Sequence, residues 1–206
     1  MKNLIYKKSI YIAKPIGSHK RLIRKKDLTC LQVNDEYIKY GKSDDTAKRK
    51  KDYEFIYKEA QYLDDKNWTK WLDLYCDDCI FWAPSWINEN TYTSHPEEEL
   101  NLLYLKGKQH LLDRVYRIET GDSFASLPMD RTTHLITNIR IDTITPLQAD
   151  VKSNWLVHSY GLRESQNRGG FYEFQLININ NQIKISQKKI ILIDDKLVGP
   201  IDIFHI

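Results

Sequence analysis

The sequence predicts an α+β fold, with helices first and a curved antiparallel sheet wrapped around them afterwards. Two observations carry this. The apolar period is 3.6 residues from Lys48 to about Gly121 and changes to 2 after Asp130. Four long strand candidates then follow one another with only short turn signals between them, the pattern of an antiparallel meander. The composition supports one sizeable core: 41% of the 206 residues are hydrophobic, with 5 Trp, 13 Tyr and 6 Phe.

Taken in order, residues 1–47 show weak periodicity. Tyr6 to Ile12 has the pattern of a short strand, the Lys20–Lys26 run reads as a solvated basic stretch, and Gly41–Thr46 reads as a linker in which Thr46 caps the helix to come. Tyr53, Ile56, Tyr57, Ala60 and Leu63 recur at helical spacing and predict an amphipathic first helix. Asn67 starts a second, short helix through Trp68, Trp71, Leu72 and Tyr75. Ile80–Ala83 is a short apolar strand stopped by Pro84, and 87–96 reads as a polar loop. Glu99–Leu105 is a strand candidate ending at Gly107. Leu111, Leu112, Val115, Tyr116 and Ile118 mark a third helix, and Ser123–Asp130 is a loop containing Pro128. The four long strands are Thr133–Thr143, Ala149–Tyr160, Phe171–Asn180 and Gln182–Ile193. Pro146, Gly161, Gly169-Gly170 and Asn178–Asn181 are the turn signals, with Gly169-Gly170 read as a hairpin turn. No repeat or low-complexity segment is present.

Charge divides the chain. Residues 1–50 hold 14 Lys and Arg against 5 Asp and Glu, a charge of +9, which leaves −6 for the remainder. We therefore read a basic N-terminal extension, 1–47, followed by one domain, 48–206. A basic arm can bind nucleic acid or a membrane surface. This one lacks the Gly-rich or aromatic-interleaved RNA motifs, so a solvated tail is expected, with no nucleic-acid partner. No apolar run reaches bilayer length, so no membrane association is expected. The start has no long apolar region followed by small residues, which argues against a secretory signal. Three cysteines argue against a disulfide framework, and cytoplasmic localisation is expected.

Motifs for chemistry are sparse. Cys76 and Cys79 form a lone C-x-x-C, with Cys30 the only other cysteine, so a four-ligand zinc site lacks its second pair. We read both as buried small residues. A Rieske cluster needs two Cys and two His in paired motifs, which are absent. The six histidines, His19, His95, His110, His134, His158 and His205, are scattered, with no clustered pair for a two-His-one-carboxylate iron site. No nucleophile elbow, dinucleotide fingerprint or phosphate-binding loop occurs. An acid–base pocket formed by His134, His158 and Asp113 is conceivable, because a buried carboxylate beside a histidine is a usable proton-transfer pair. The competing reading makes Asp113, Arg114 and Arg131 ordinary ion pairs that fix the third helix to the sheet. Trp68, Trp71, Trp82 and Trp86 fall within nineteen residues. Most are core, while Trp86 and Tyr92, in or near a polar loop, suit a subunit contact.

Several segments resemble a known family. Glu59-Ala-Gln-Tyr-Leu-Asp-Asp-Lys-Asn-Trp-Thr-Lys-Trp-Leu72 is similar to the "E-A-x-L-L-D…W-L" opening of the small (β) subunits of aromatic-ring-hydroxylating dioxygenases. Phe81-Trp-Ala-Pro84, Leu112–Thr120, Val151–Trp155 and Ile201–Ile206 fit the same pattern, and Arg131–Ile139 resembles the family's "R-T-x-H-x-I-x-N-I". The matches occur in order over about three quarters of the chain and look closest to the benzoate, toluate and anthranilate branch. Residues 1–47 lie outside them, and Tyr160–Phe171 is shorter and more polar than that branch leads one to expect.

The resemblance implies a cone of the NTF2-like (cystatin-like) type and a structural subunit with no cofactor or metal of its own. It implies a partner α subunit carrying a Rieske [2Fe-2S] cluster and mononuclear Fe(II), an assembly of three α and three β chains, and electrons from NADH through a reductase. The expected activity is that of an oxidoreductase on an aromatic carboxylate in aromatic catabolism. No catalytic residue is then expected in this chain. Trp82, Trp86, Asp113, Arg114, Arg131 and His134 are candidates for structural or subunit-interface roles. The alternative is a stand-alone, cofactor-free isomerase or dehydratase of the same fold.

Overall fold

The structure is a computed structural model and describes residues 11–16, 19–24, 43–123, 127–145, 147–162 and 164–206. Contacts divide the chain into two units, Met1–Lys51 and Asp52–Ile206. In the first, β1 (Tyr11–Ile16) and β2 (His19–Arg24) pair as an antiparallel hairpin with Ile16 opposite His19. The strand expected over Tyr6–Ile12 thus coincides with β1 only at its end, and residues 1–10 and 25–42 lie outside the described residues. Helix α1 runs from Ser43 to Asp64, so Thr46 stands inside the helix rather than capping it.

The second unit follows with α2 (Trp68–Leu72), β3 (Tyr75–Pro84), β4 (Trp86–Asn88), β5 (Thr91–Tyr92), β6 (Asn101–Lys106) and α3 (Lys108–Glu119). Four long strands complete it: β7 (Arg131–Ile144), β8 (Gln148–Gly161), β9 (Glu164–Ile179) and β10 (Gln182–Leu192). Asn67 caps α2, its side-chain oxygen accepting from Lys70 N at 3.3 Å. Tyr75, expected at the end of that helix, instead opens β3. The polar loop over 87–96 contains the small β4–β5 hairpin.

Six strands form one sheet in the order β6-β3-β10-β9-β8-β7. The expectation of a wholly antiparallel sheet needs correcting, because β3 and β10 run parallel. The chain leaves β3, makes β6, α3 and the β7–β8–β9 meander, and returns beside β3 only with β10. Such a return by crossover permits parallel pairing. The reading of Gly169-Gly170 as a hairpin turn also needs correcting. The β8–β9 reversal lies at Gly161–Glu164, and both glycines sit inside β9, opposite Leu156 and Trp155. A Cβ on Gly170 would lie 1.9 Å from the Ile191 carbonyl oxygen, so these positions are glycine because neighbouring backbone comes close. The β9–β10 turn is made by Asn180 and Asn181, both with positive φ, as a two-residue hairpin requires.

Alternate residues of β8 from Ala149 to Ser159 face inward and meet the helices. To the same core α1 brings Ile56 and Leu63, α2 Trp68 and Trp71, and α3, which packs on β3 and β6, Leu111, Val115 and Ile118. Tyr57, counted in the apolar stripe from its spacing, is 51% exposed, while Glu59 takes a buried position on the same helix. The last residues, Ile201–Ile206, pack Ile203, Phe204 and Ile206 into the same core without joining the sheet.

Candidate functional site

Two polar clusters join the helices to the sheet, one buried in the core and one half-buried at its edge. In the first, α1 brings Glu59 against Lys188 of β10. Both side chains are buried, and the ammonium lies 3.0 and 3.2 Å from the two carboxylate oxygens. Trp71 Nε1 donates to Glu59 Oε1 at 2.9 Å and Tyr75 Oη donates to it at 3.0 Å. The Lys188 ammonium also sits 4.3 Å from the Tyr172 ring centroid and within 6 Å of the Phe81 and Phe174 rings. Burial pushes Lys188 below the ordinary lysine value and Glu59 opposes it. Burial and the Glu59 charge raise Tyr75 well above the ordinary phenol range. A carboxylate with three buried donors, sealed by aromatic rings, joins helix to sheet and offers no group to a substrate.

The second cluster joins the end of α1 to β7. Asp64 Oδ2 accepts from His134 N at 2.8 Å, and Asp64 Oδ1 lies 2.6 Å from His134 Nδ1. Thr132 Oγ1 donates to Asp64 Oδ1 at 3.0 Å and accepts from Lys66 Nζ at 2.7 Å. Burial acts against the Asp64 carboxylate, but its contacts with His134 and Thr132 outweigh that and hold it below its ordinary value. Lys66, half-surrounded by protein and over the Phe204 ring at 4.3 Å, is pushed down to about 8 by burial. Asp64→Asn should cost about 2 kcal/mol in urea denaturation, the range for hydrogen bonds to a charged group. A carboxylate with a depressed folded pKa contributes stability that is present above 3.8 and is lost as pH falls through the folded value. The variant's acid limb should therefore be flatter than wild type's.

The acid–base set expected from sequence does not assemble. Only His134 of its three members faces inward. Asp113 is exposed on α3 and accepts from Gln109 Nε2 at 2.9 Å, and His158 Nδ1 lies 2.8 Å from Asn167 Oδ1 in an exposed pair. The ion pairs expected of Asp113, Arg114 and Arg131 are also different ones. Arg114 Nε donates to Asp202 Oδ1 at 2.7 Å, and Arg131 stacks on the Tyr160 ring at 5.1 Å. Sequence reasoning missed Glu59, Asp64 and Lys188. The one available signal was a glutamate and an aspartate spaced among the apolar positions of the first helix.

The aromatic candidates lie at the β3–β5 end. Trp82 is buried, with Nε1 donating to Asn101 Oδ1 at 2.5 Å. Trp86 is half-buried, donates to the Leu192 carbonyl at 2.8 Å and meets Tyr92 edge-on at 5.5 Å. Lys189 Nζ sits 4.5 Å from both the Trp82 and Tyr92 rings.

Burial raises the Cys76 thiol to about 11, with Asp78 adding to it, and burial raises Cys79 to about 12, so both thiols are protonated and unreactive at neutral pH. Among the described residues no group of three or more His, Cys, Asp or Glu could hold a metal ion. No described helix is long and apolar enough to cross a membrane.

Comparison with known proteins decides the family. A family model described as "Ring hydroxylating beta subunit" matches residues 58–198. The chain belongs to the ring-hydroxylating β-subunit family. It is 37% identical to the benzoate 1,2-dioxygenase subunit beta of Acinetobacter baylyi over 74% of this chain and 90% of that one. It is 32% identical to the toluate 1,2-dioxygenase subunit beta of Pseudomonas putida, over 74% and 94%. A crystal structure of the benzoate 1,2-dioxygenase β subunit from Burkholderia mallei superposes with a TM-score of 0.61 at 34% identity, over 75% of this chain and 94% of that one. The NTF2-like α+β architecture is thus that of the ring-hydroxylating β subunits, and the stand-alone enzyme reading is not favoured. The region matched by the family model contains both clusters.

Proposed function

We propose that this chain is the non-catalytic, structural small subunit of a Rieske non-heme iron dioxygenase that hydroxylates an aromatic carboxylate of the benzoate type. Family membership carries this reading. The named substrates of the β-subunit relatives, benzoate and toluate, support the aromatic acid. The internal chemistry agrees, because the buried Glu59 and Lys188 are bound to each other and the half-buried Asp64 is bound to His134 and Thr132. In this reading a large α subunit holds the Rieske [2Fe-2S] cluster and the mononuclear iron, three copies of each subunit assemble, and an NADH-dependent reductase supplies electrons. This chain's contribution is shape: a rigid sheet presenting Trp86, Tyr92 and the outer strand faces to the other subunits.

Co-expression with the cognate α chain tests this. The two should elute as one hetero-oligomer that contains iron and converts benzoate to its cis-dihydrodiol acid with NADH and reductase. A β chain that elutes alone, beside a fully active α assembly, would remove the structural role.

A further inference from the structure

The C-terminal turn carries a hydrogen-bond arrangement that depends on one protonation state. Asp202 O accepts from His205 N at 2.8 Å, closing a turn. Across the same turn, the Asp202 backbone N–H donates to His205 Nδ1 at 3.0 Å. A backbone N–H can only donate, so Nδ1 is the bare nitrogen of a neutral imidazole and the proton sits on Nε2. Nε2 then donates to Asp130 Oδ2 at 3.2 Å. The tautomer is fixed by geometry from both sides.

The groups around the imidazole come from several elements. Asp130 precedes β7, Asp202 lies in the turn itself, and Arg168 comes from β9. Beyond them Arg114 of α3 binds Asp202 Oδ1 at 2.7 Å, and Lys66, after α1, lies within electrostatic reach of Asp130. The ring is almost fully buried and touches Phe204 at a centroid distance of 4.2 Å. Phe204 packs in turn on Trp68 at 6.2 Å.

We propose that the Asp202–His205 turn is an acid-released latch, in which proton uptake at His205 Nδ1 removes the acceptor that closes the turn and frees the Phe204 anchor from the core. An imidazolium carries N–H on both nitrogens, so the Asp202 N–H would face another N–H and lose its partner. Asp130 and Asp202 favour the charged ring, while burial and Arg168 oppose it. Burial is the larger influence and holds His205 down at about 4. Its unfolded value is 6.5, so the closed turn resists a proton that the open turn accepts. The latch is then fully closed above 6.5, and its closure weakens as pH falls from 6.5 towards 4.

Hydrogen exchange of the whole chain, corrected for intrinsic rates, reads this directly. Amides of 202–206 should open about ten-fold more for each pH unit below 6.5, while amides of the central strand β8 keep their protection. His205→Asn offers a non-titrating oxygen near the Nδ1 position. It should open more at pH 7 than wild type, yet show no pH dependence over this window. Asp130→Asn removes a carboxylate that favours the imidazolium in the closed turn, so the onset near 6.5 should stay while the rise continues to a lower pH than in wild type, which levels off near 4. A wild-type profile parallel to that of β8 would overturn the latch, as would His205→Asn following the wild-type slope. If His205→Asn does not fold, an Asp130→Asn profile that levels off at the same pH as wild type, or at a higher one, would overturn it equally.

Discussion

Glu59→Gln is expected to lower the unfolding free energy by about 3–5 kcal/mol, the cost of leaving a buried charge without its partner. The glutamine keeps the shape and keeps an oxygen for Trp71 Nε1 and Tyr75 Oη, so those two bonds survive. What is lost is the negative charge facing the buried Lys188 ammonium. The aromatic faces of Tyr172, Phe81 and Phe174 compensate only in part, since a desolvated cation–π contact supplies roughly 2 kcal/mol. Lys188→Met added to Glu59→Gln should then recover most of the loss, because the orphaned charge is gone and methionine fits the aromatic cage. Urea denaturation of wild type, single and double variants gives the coupling directly. A double variant as unstable as Glu59→Gln alone would show that the pair is not the source of the loss.

That pair also shows where sequence reading stops. Periodicity was sufficient for the three helices and for most of β7, β8 and β10, because a half-buried strand or helix must alternate its apolar residues. It placed Tyr57 rather than Glu59 on the buried side of α1, because hydropathy cannot distinguish a paired buried carboxylate from a solvated one. Lys188 was hidden for a different reason. Counting in twos from Ile183 and Ile185 puts Gln187 inward and Lys188 outward. A β-bulge between Ile185 and Gln187 inserts one residue and turns Lys188 to the core. His134 was legible as a candidate, but its partner Asp64 is 70 positions away, and only the return of β7 past the end of α1 brings them together. The parallel pairing of β3 with β10 was illegible for the same kind of reason, since it depends on how a long excursion closes. The β-subunit resemblance, resting on ordered short motifs, reached the family where no single spacing could.

Gly170→Ala should be the most damaging of the glycine substitutions, costing about 3 kcal/mol or more through overpacking against backbone. The added Cβ would lie 1.9 Å from the Ile191 carbonyl oxygen and 2.9 Å from its carbon, and neither can rotate away. Relief requires β9 and β10 to part where Gly170 pairs with Leu192, beside the buried row of Tyr172, Ile190 and Leu192. Gly169→Ala meets the Trp155 carbonyl at 3.1 Å and should cost only about 1 kcal/mol, since a few tenths of an ångström suffice. Gly161→Ala separates distance from rigidity. Its Cβ would come closer still, 1.7 Å from Asp130 Oδ1, but that atom ends a side chain that can swing aside. The global loss should therefore be smaller than for Gly170→Ala. Swinging Asp130 takes its carboxylate from His205 Nε2, so the damage should appear as lost protection at 202–206. Thermal melts of the three variants should rank Gly170→Ala lowest, and a Gly161→Ala melt below it would mean that Asp130 is held as rigidly as the sheet.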